Sequence, residues 1–355
     1  MNFQLKTVLG VMSGSSLDGL DLCLCQFGYN NNRWSYTIIA ADTVLYPENI
    51  KVQLANAQFM SALELVRFHS GYGRHIGQVA KQFIAKQNIK PELIASHGHT
   101  IFHQPSEGFT FQIGSGAHIA IEAGINAVCD FRTNDVAAGG QGAPLVPIGD
   151  RHLFGQYGYC LNLGGFANIS YEEQGQRLAY DICPVNYVLN HYTRAIGKEY
   201  DNKGEIATKG KVHPELLEAL NHLDFYRQQG PKSLGREWVE QSIFPLIESY
   251  NLPLEDKLST FCEHVALQVG AKLNSNNSKI LVTGGGAFNT YLMSQIQAYS
   301  VATVYIPDKL TINFKEALIF AFLGLLYAEN QPNCLASVTD AHSDVIGGAM
   351  YKIKN

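Results

Sequence analysis

The sequence predicts a two-domain α/β protein, and three observations lead to that prediction. The chain has 355 residues, a length for which two domains are the natural expectation. Hydrophobic patterns typical of strands and of helices alternate along the chain. A strand–turn–strand opening near the N-terminus is followed by a similar opening in residues 158–172, which indicates two related halves.

The composition predicts a folded, soluble protein. Hydrophobic residues make up 46% of the chain and charged residues 16%, so each half can bury a core. The formal net charge of −5 and the absence of a basic run argue against a nucleic-acid-binding protein. The N-terminus is too mixed for a signal peptide. The seven scattered cysteines, without a Cys-x-x-Cys pair, favour reduced, mostly buried thiols in a cytoplasm.

The longest apolar run, Ala317 to Ala328, predicts a buried helix. It contains twelve residues, whereas a helix that crosses a bilayer needs roughly 20. We therefore expect no membrane association.

The first half of the chain predicts strands interrupted by helices. A glycine-bearing turn separates the first predicted strand from the second, and the loop "NNNRW" is typical of a hairpin connection between the second and the third. The predicted strands are 7–12, 19–27, 34–46, 92–102 and 125–131, and the predicted helices are 61–87 and 114–124.

The second half repeats the strand–turn–strand pattern and then becomes mainly helical. The Gly- and Pro-rich segment Asn134–Asp150 is a candidate domain boundary, although an ordinary connector has the same composition. The tail 344–354 is expected to return to the first domain. We predict one domain of residues 1–135 with the tail from about 336 to 355, and a second of residues 136–335. The predicted helices are 185–196, 213–222, 236–250, 254–274 and one after 313. Residues 158–172 are predicted to form two strands joined by a glycine-containing turn, and the other predicted strands are 177–182, 279–283 and 301–307.

Three turns that bear glycine follow strands, at Ser13–Asp21, Asn162–Asn168 and Thr283–Asn289. Glycine lets a ligand approach the backbone, and exposed N–H groups bind anionic oxygens, so turns of this kind can hold a polyphosphate. The alternative for any single turn is a tight hairpin. Asp18 and Asp21 would repel a phosphate but suit a bound Mg²⁺, directly or through water.

Common nucleotide and hydrolase motifs are missing from the sequence. There is no Gly-x-x-x-x-Gly-Lys-Ser/Thr, which excludes a P-loop, and "GVMSGSSLDG" is not the dinucleotide motif Gly-x-Gly-x-x-Gly. The serine-hydrolase motif Gly-x-Ser-x-Gly also fails, because Asp18 occupies the place of its last glycine.

Asp181 in "YDICPVN" is the best candidate for a catalytic base. It stands at the end of a predicted strand, where its carboxylate could take a proton from water or a hydroxyl group. The alternative is a helix N-cap, because a predicted helix begins soon afterwards.

Several other polar residues are candidates for substrate binding. His97, His99 and His103 match no trusted zinc spacing, so substrate binding or structural roles are favoured over a metal site. Arg132 suits a carboxylate or phosphate, but a surface ion pair is as common. Glu316 opens an apolar stretch, and its alternative role is a charge in the first turn of a helix.

Together these segments resemble the anhydro-N-acetylmuramic acid kinase family over nearly the whole chain. The most specific run is "GGQGAPLVP". The other matching segments are "VMSGSSLDGLDL", "SHGHTIFHQP", "DFRTND", "NLGGFANIS", "YDICPVN", "YDNKGEIATKGKV", "KSLGREW", "TGGGAFN", "FKEALIFAF" and "LASVT". The resemblance implies a two-domain actin/hexokinase/Hsp70-like (ribonuclease H-like) fold with the nucleotide in the interdomain cleft.

The resemblance also implies a reaction. The family uses ATP and Mg²⁺ to convert 1,6-anhydro-N-acetylmuramic acid, a product of cell-wall turnover, into N-acetylmuramic acid 6-phosphate and ADP. Water opens the anhydro bridge, and the freed O6 takes the γ-phosphoryl group. A cytoplasmic homodimer is expected on the same ground.

The resemblance assigns roles to residues of this chain. Asp181 matches the catalytic base, and Asp18 is the candidate for holding Mg²⁺. The expected sugar-binding residues are His97, Arg132, Gln141 and Glu316, with Arg132 paired to the lactyl carboxylate. The expected ATP-binding residues are Gly14, Ser15, Ser16, Leu17, Asp18, Gly19, Leu20, Asp21, Asn162, Gly164, Gly165, Gly284, Gly285 and Gly286.

Some positions depart from the family pattern and leave alternatives open. They are Ser115, Cys183, Val185 and Asn190, of which Cys183 replaces a usual glycine next to the predicted base. A related sugar or sugar-acid kinase without bridge opening therefore stays open. A nucleotide-binding ATPase without a small-molecule substrate is the third alternative, and a sugar-dependent rate of ATP consumption would distinguish it from the first two.

Overall fold

The computed structural model describes residues 5–14, 17–228, 232–273 and 278–354. It divides into two units: unit 1 is Met1–Leu153 with Phe314–Asn355, and unit 2 is Phe154–Asn313.

These bounds differ from the predicted boundaries at residues 135 and 335. The helices on either side of the division explain the difference, because residues 146–153 and 314–328 both pack in unit 1. A buried ion pair, Lys315 Nζ to Asp150 Oδ1 at 2.7 Å, joins these two segments. Glu316 consequently belongs to unit 1.

Unit 1 is built on a six-stranded mixed sheet. The strand order is β13-β7-β4-β1-β2-β3, in which β1, β2 and β3 are antiparallel neighbours and β1, β4 and β7 are parallel. Strand β13 from the tail pairs antiparallel with β7, which confirms that the tail returns to the first unit. The strands are β1 Lys6–Ser13, β2 Gly19–Asn30, β3 Arg33–Leu45, β4 Leu93–Ser96, β5 His99–Gln104, β6 Phe109–Ile113, β7 Ala127–Cys129 and β13 Ala349–Tyr351.

Local sequence explains several of these boundaries. Asn31 and Asn32 adopt left-handed backbone angles, φ 50° and 60°, as a two-residue hairpin between β2 and β3 requires. The predicted strand 92–102 is in fact two strands, because Gly98 turns the chain with φ 73° and sends β5 into a separate hairpin with β6.

The helices of unit 1 cover both faces of its sheet. Leu9, Leu22 and Leu24 point to the face that carries α1, α2 and α3, whereas Phe27 contacts Phe322 of α13 on the opposite face. Helix α2 begins at a capping box, in which Ser61 and Glu64 bond reciprocally. The helices are α1 Glu48–Asn56, α2 Ala62–Gln87, α3 Gly116–Ala123, α4 Thr133–Ala137, α5 Val146–Leu153, α13 Lys309–Ala328 and α14 Ala336–Thr339.

Helix α13 is the buried helix that the apolar run predicts, but it is longer than that run. Among the described residues it is the one helix with the length and composition of a membrane span, and 78% of its most apolar window is buried inside the protein. It packs directly on the sheet, since a Cβ at Gly324 would lie 2.5 Å from the Ala95 side chain. Burial of this kind is typical of a core helix.

We expect Gly10→Ala to lower the free energy of unfolding by about 1–3 kcal/mol or more. A Cβ at Gly10 would lie 1.9 Å from the carbonyl oxygen of Ala317, so β1 and α13 would have to separate. Urea unfolding of the two proteins measures the effect. Gly71→Ala is the matched control, because Gly71 lies in α2 with no atom near its would-be Cβ. This control should gain about 0.5–1 kcal/mol, and a Gly10→Ala protein as stable as the wild type would contradict the packing.

Unit 2 has a five-stranded sheet in the order β10-β9-β8-β11-β12. Strands β8, β9 and β10 are antiparallel neighbours, and β8, β11 and β12 are parallel. The strands are β8 Tyr159–Leu163, β9 Phe166–Glu173, β10 Gln176–Pro184, β11 Lys279–Thr283 and β12 Thr303–Tyr305. The α-helices are α6 Asn186–Arg194, α7 Pro214–Asn221, α8 Asp224–Arg227, α9 Arg236–Trp238, α10 Phe244–Glu248, α11 Leu254–Gly270 and α12 Thr290–Tyr299. A π-helical turn, Val239–Ile243, joins α9 to α10.

The two units share one topology. In unit 1 the order β3-β2-β1-β4-β7 has three antiparallel strands followed by two parallel ones, and β10-β9-β8-β11-β12 in unit 2 repeats that order and those directions. The duplicated strand–turn–strand opening therefore reflects two copies of a ribonuclease H-like sheet, and the predicted fold class is confirmed.

Candidate active site

The first glycine-bearing turn is the connection between β1 and β2. It runs from Gly14 to Asp18, and Ser15 and Ser16 lie outside the described residues. Leu17 has a left-handed backbone angle, φ 59°, which is rare for a residue with a branched side chain. Strands β1 and β2 on either side of the turn are antiparallel neighbours. Backbone strain such as that at Leu17 is often found at ligand-binding sites. Gly19 and Leu20 begin β2.

Two aspartates follow this turn and differ in environment. Asp18 is exposed, whereas Asp21 lies on β2, where its Oδ1 accepts a hydrogen bond of 2.6 Å from Thr43 Oγ1. Burial raises the pKa of Asp21, the Thr43 hydroxyl opposes that rise, and the charge of Asp18 adds to it. The mutual repulsion of the two carboxylates would be relieved by a cation.

A buried ring of hydroxyl groups lies directly beneath the turn. Ser13 Oγ lies 2.6 Å from Tyr46 Oη and 2.9 Å from Tyr72 Oη, and the two tyrosine oxygens are 2.7 Å apart. His99 Nδ1 lies 2.8 Å from Ser13 Oγ. The three hydroxyl protons are all used within the ring, so the proton of the fourth bond comes from His99 Nδ1. This leaves His99 Nε2 as a hydrogen-bond acceptor.

Arg132 is held by His97 and by the loop that contains the "GGQGAP" motif. Its Nε donates to His97 Nε2 at 3.0 Å, and its Nη1 donates to the Gly142 carbonyl at 2.5 Å. His97 must then carry its proton on Nδ1, which donates to the Gly98 carbonyl at 2.9 Å. Arg132 is therefore a partly buried, oriented cation, and within the described part of the chain it forms no ion pair.

The charge states of this pair follow from burial. Burial and the nearby guanidinium hold the pKa of His97 well below its usual range, so the imidazole is neutral. Burial also lowers the pKa of Arg132 to about 10, which leaves the guanidinium charged at neutral pH. Among the described residues, Arg132 Nη2 has no hydrogen-bond acceptor, and it is the atom of this group best able to bind an anion.

Asp135 fixes the loop that accepts from Arg132. The side chain is fully buried; Oδ2 accepts from the Gly142 amide at 2.7 Å and Oδ1 from the Thr339 hydroxyl at 2.7 Å. A Cβ at Gly140 would lie 2.3 Å from Asp135 Oδ2, so the loop needs glycine there. Gln141 is exposed beside this contact, and its backbone N–H donates a hydrogen bond of 2.7 Å to the Thr339 carbonyl.

Glu316 interacts electrostatically with Asp21, next to the first glycine-bearing turn, and with Arg132. It lies inside helix α13, which begins at Lys309, so a role as a first-turn charge is wrong. Its side chain reaches solvent, but the surrounding protein raises its pKa, and the charge of Asp21 raises it further. The cations Lys315 and Arg132 oppose this rise. Unit 1 thus brings Asp21, Arg132 and Glu316 within electrostatic range of one another.

In unit 2, Asp181 lies near the end of β10, at a β-bulge. Its carboxylate Oδ2 accepts from the Leu234 amide at 2.8 Å, and its own amide donates to the Lys232 carbonyl at 2.9 Å. No other hydrogen bond reaches the carboxylate from the described residues, which leaves Oδ1 open. Burial raises the pKa of Asp181, and the Leu234 N–H opposes the rise. Asp181 is not a helix cap, because the N-cap of α6 is Val185.

The second and third glycine-bearing turns, which both lie in unit 2, are neighbours. Parallel strands β8 and β11 end side by side, with Asn162 opposite Thr283. Gly284 has φ 82°, and a Cβ there would lie 2.7 Å from Asn162 Oδ1. Gly286 is equally tight against Leu163, whereas a Cβ at Gly285 would meet only the Asn186 amide at 3.5 Å. Gly284 and Gly286 therefore allow the turns to pack together, and exposed Gly285 is free for a ligand.

The second turn exposes part of its backbone. The Gly164 carbonyl accepts from the Asn186 amide at 3.2 Å, and the Gly165 carbonyl accepts from the Val185 amide at 2.8 Å, so these oxygens cap the start of α6. Gly165 is exposed, and its own amide carries no hydrogen bond within the described part of the chain. An N–H group of this kind is suited to an anionic oxygen.

The positions that depart from the family pattern differ in their environment. Cys183 and Val185 are fully buried in the core of unit 2, so the thiol of Cys183 lies in the core behind Asp181. Asn190 is partly buried on α6. Ser115 precedes α3 and bonds His118 Nδ1 through its hydroxyl at 2.8 Å.

Sequence reasoning missed the residues that support the candidate site. Tyr46, Tyr72, Thr339 and Leu234 all act through contacts between segments far apart in the chain, for which a single sequence carries no local signal. The tautomer of His99 likewise follows only from its partners.

Two ribonuclease H-like units with glycine turns after their strands define an ATPase of the actin/hexokinase/Hsp70 type. The family model "Anhydro-N-acetylmuramic acid kinase" matches residues 6–353. The chain belongs to the anhydro-N-acetylmuramic acid kinase family and is an ATP-dependent phosphotransferase.

Individual relatives agree with this family. Anhydro-N-acetylmuramic acid kinases from Pseudomonas fluorescens and Pseudomonas putida are each 36% identical to this chain, over 97% of it and 98% of the relative. Among solved structures, component A of (R)-2-hydroxyglutaryl-CoA dehydratase from Acidaminococcus fermentans covers 91% of this chain and 99% of its own. Its identity of 12% and TM-score of 0.47 make it too distant to indicate function.

Proposed function

We propose that this protein opens 1,6-anhydro-N-acetylmuramic acid with water and phosphorylates O6 with ATP. Asp181 takes a proton from the water as its oxygen bonds to the anomeric carbon and the bond from that carbon to O6 breaks. O6 then bonds to the γ-phosphorus as the bond to ADP breaks. The products are N-acetylmuramic acid 6-phosphate, ADP and a proton.

One observation carries the assignment of the base. Asp181 is a half-buried carboxylate anchored through Oδ2 by the Leu234 amide, with Oδ1 open. A general base must be fixed in orientation and must keep a lone pair for the proton that it removes. Asp181 meets both requirements.

The glycine turns are suited to ATP and Mg²⁺. The proposed phosphate-binding residues are Gly14–Asp21 in unit 1 and Asn162, Gly164 and Gly165 in unit 2, with Gly284–Gly286 near the adenosine. Asp18 would hold Mg²⁺, since it is exposed and repels Asp21, and kinase magnesium sites commonly use one or two carboxylates with phosphate oxygens. Mg²⁺ would neutralise charge on the transferred phosphoryl group.

Three residues of unit 1, Arg132, Gln141 and Glu316, are proposed to bind the sugar, and His97 supports them by holding Arg132, because both of its ring nitrogens are already hydrogen-bonded. Arg132 would pair with the lactyl carboxylate through Nη2, because His97 and Gly142 already hold its other nitrogens. Gln141 presents an exposed amide beside this loop. Glu316 would accept hydrogen bonds from sugar hydroxyls.

The test of this function is sugar-dependent release of ADP. Purified protein with ATP and Mg²⁺ should release ADP rapidly only when 1,6-anhydro-N-acetylmuramic acid is present. Equal ADP release with and without the sugar would favour an ATPase without a small-molecule substrate. Phosphorylation of amino sugars that lack the anhydro bridge, with no turnover of the anhydro sugar, would favour a kinase without bridge opening.

We also propose that the protein acts in cell-wall recycling, that it is located in the cytoplasm and that it forms a homodimer. Support for self-association comes from exposed apolar side chains of unit 1, among them Val52, Phe59, Leu63 and Val66, which are 51–78% exposed. Light scattering, recorded as the protein elutes from a size-exclusion column, measures the oligomeric state.

We expect kcat/KM for the sugar to fall as the pH decreases through the pKa of Asp181. The base acts in its ionised form, so activity is present above this pKa and is lost below it. Burial raises the pKa, so the acid limb should lie above the ordinary aspartate value of about 3.9. A pH–rate profile measures the limb, and an acid limb at or below about 3.9 would contradict a buried base.

A further inference from the structure

The segment that holds Asp181 is itself held by one lysine. Lys232 Nζ donates to the carbonyls of Phe225 at 2.6 Å and Gln228 at 3.2 Å, at the C-terminal end of the short helix α8. The ammonium also lies 4.0 Å from the centre of the Phe225 ring. Three favourable contacts therefore fix the Lys232 side chain, and Phe225 is itself buried.

The backbone of the same segment forms both contacts to the proposed base. The Lys232 carbonyl accepts from the Asp181 amide at 2.9 Å, and two residues later the Leu234 amide donates to Asp181 Oδ2 at 2.8 Å. Residues 232 and 234 thus pair with Asp181 at the free edge of β10, which is an edge strand of its sheet. Loss of the lysine contacts would release this segment from α8.

Helix α8 is a fixed anchor for the lysine. The hydroxyl oxygen of its residue Tyr226 lies 2.9 Å from Nε2 of the buried His264. Nδ1 of His264 lies 2.7 Å from Asn221 Oδ1. Because Asn221 Oδ1 also accepts from Gln268, His264 Nδ1 is the donor to it, and Tyr226 donates to Nε2. These bonds tie α8 to α7 and α11.

From these contacts we propose that Lys232 is a positioning residue for the base of the reaction: it clamps residues 232–234 so that the Leu234 amide holds Asp181 Oδ2 and leaves Oδ1 directed to water. This inference rests on the proposed function of Asp181. Lys232 does not touch the reacting atoms, and its action passes through the backbone.

The electrostatics of the surroundings predict how Asp181 responds. The nearby ionisable groups are Cys183 and Tyr226, which burial keeps neutral by raising their pKa values, and Lys232 itself. The Leu234 N–H lowers the pKa of Asp181. Release of the segment removes that donor, so the pKa of Asp181 should rise.

The test compares Lys232→Met with Lys232→Arg. Lys232→Met should lower kcat by about 10- to 100-fold, leave KM for ATP within about 2-fold, and move the acid limb to higher pH by about one unit. Lys232→Arg should retain most activity, because a guanidinium also donates to carbonyls and stacks on an aromatic ring. Lys198→Met, at an exposed lysine of the same unit, is the matched control.

A lower kcat for Lys232→Met with an unmoved acid limb would assign Lys232 a structural role and overturn the proposal, as would an unchanged kcat. The pKa of Asp181, measured by carbon-13 NMR of labelled aspartate carboxyls, tests the clamp without turnover, even where a variant is inactive. If the wild type fails to turn over the sugar, the proposed function fails, while an NMR shift between wild type and Lys232→Met would still support the clamp.

Discussion

Replacement of Asp181 by asparagine is expected to lower kcat with 1,6-anhydro-N-acetylmuramic acid by about 10²- to 10⁴-fold, the contribution usual for a positioned general base. Asparagine keeps the shape of the side chain and an oxygen for the Leu234 amide, but its other atom cannot take a proton from water. KM for ATP should change little, because Asp181 is not among the proposed phosphate-binding residues. Steady-state ADP release at saturating ATP measures both parameters.

The control for this variant is Asp42→Asn, which makes the same chemical change on an exposed part of strand β3. Its kcat should equal that of the wild type. An Asp181→Asn protein with more than about a tenth of wild-type kcat would remove Asp181 as the base, because general-base catalysis contributes at least about 10²-fold.

Replacement of Arg132 by methionine is expected to lower kcat/KM for the sugar by about 30- to 4,000-fold, the range for loss of one partner from a buried, hydrogen-bonded charge pair. The reason is that the lactyl carboxylate would lose its cation while the site remains largely desolvated. The sharpest measurement compares the anhydro sugar with its analogue 1,6-anhydro-N-acetylglucosamine, which lacks the lactyl group. Wild type should prefer the lactyl sugar, and Arg132→Met should lose most of that preference.

Two further variants define the meaning of this result. Arg132→Lys keeps the charge but cannot donate at once to His97, Gly142 and a carboxylate, so it should rescue kcat/KM only in part. Arg74→Met, at an exposed arginine of α2, is the matched control. An Arg132→Met protein that loses activity equally with both sugars would contradict recognition of the lactyl group and favour a structural role.

The sequence predicts much of the fold because the strands and the longest helix have clear periodicity. Helix α2 agrees with its prediction almost to the residue, since Ser61 and Glu64 signal its start and Asn88 adopts the left-handed end. Helix α1 was missed because its face is weakly apolar, with Leu54 its one buried residue. The domain boundary was misplaced because glycine and proline in residues 134–150 indicate a loop, while Asp135 and Thr339 tie that loop to unit 1.

The sequence likewise predicts some residues of the candidate site but not the contacts that hold them. Glycine turns and Asp181 stand out in the sequence because polar residues and glycine follow apolar strands. The geometry that makes Asp181 a fixed carboxylate depends on Lys232 and Leu234, which are more than 50 residues away in the chain. Such support is set by tertiary packing, so only the structure reveals it.

The central claim is that one active site couples opening of the anhydro bridge by water to phosphorylation of O6. The direct measurement is mass spectrometry of the product formed with ATP and Mg²⁺ in ¹⁸O-water at early times. Preformed N-acetylmuramic acid 6-phosphate in the same water corrects for exchange at the anomeric hydroxyl. We predict a phosphorylated sugar with one ¹⁸O on the anomeric carbon and none in the phosphoryl group. A phosphorylated product without ¹⁸O on that carbon, or one with ¹⁸O in the phosphoryl group, would contradict the account.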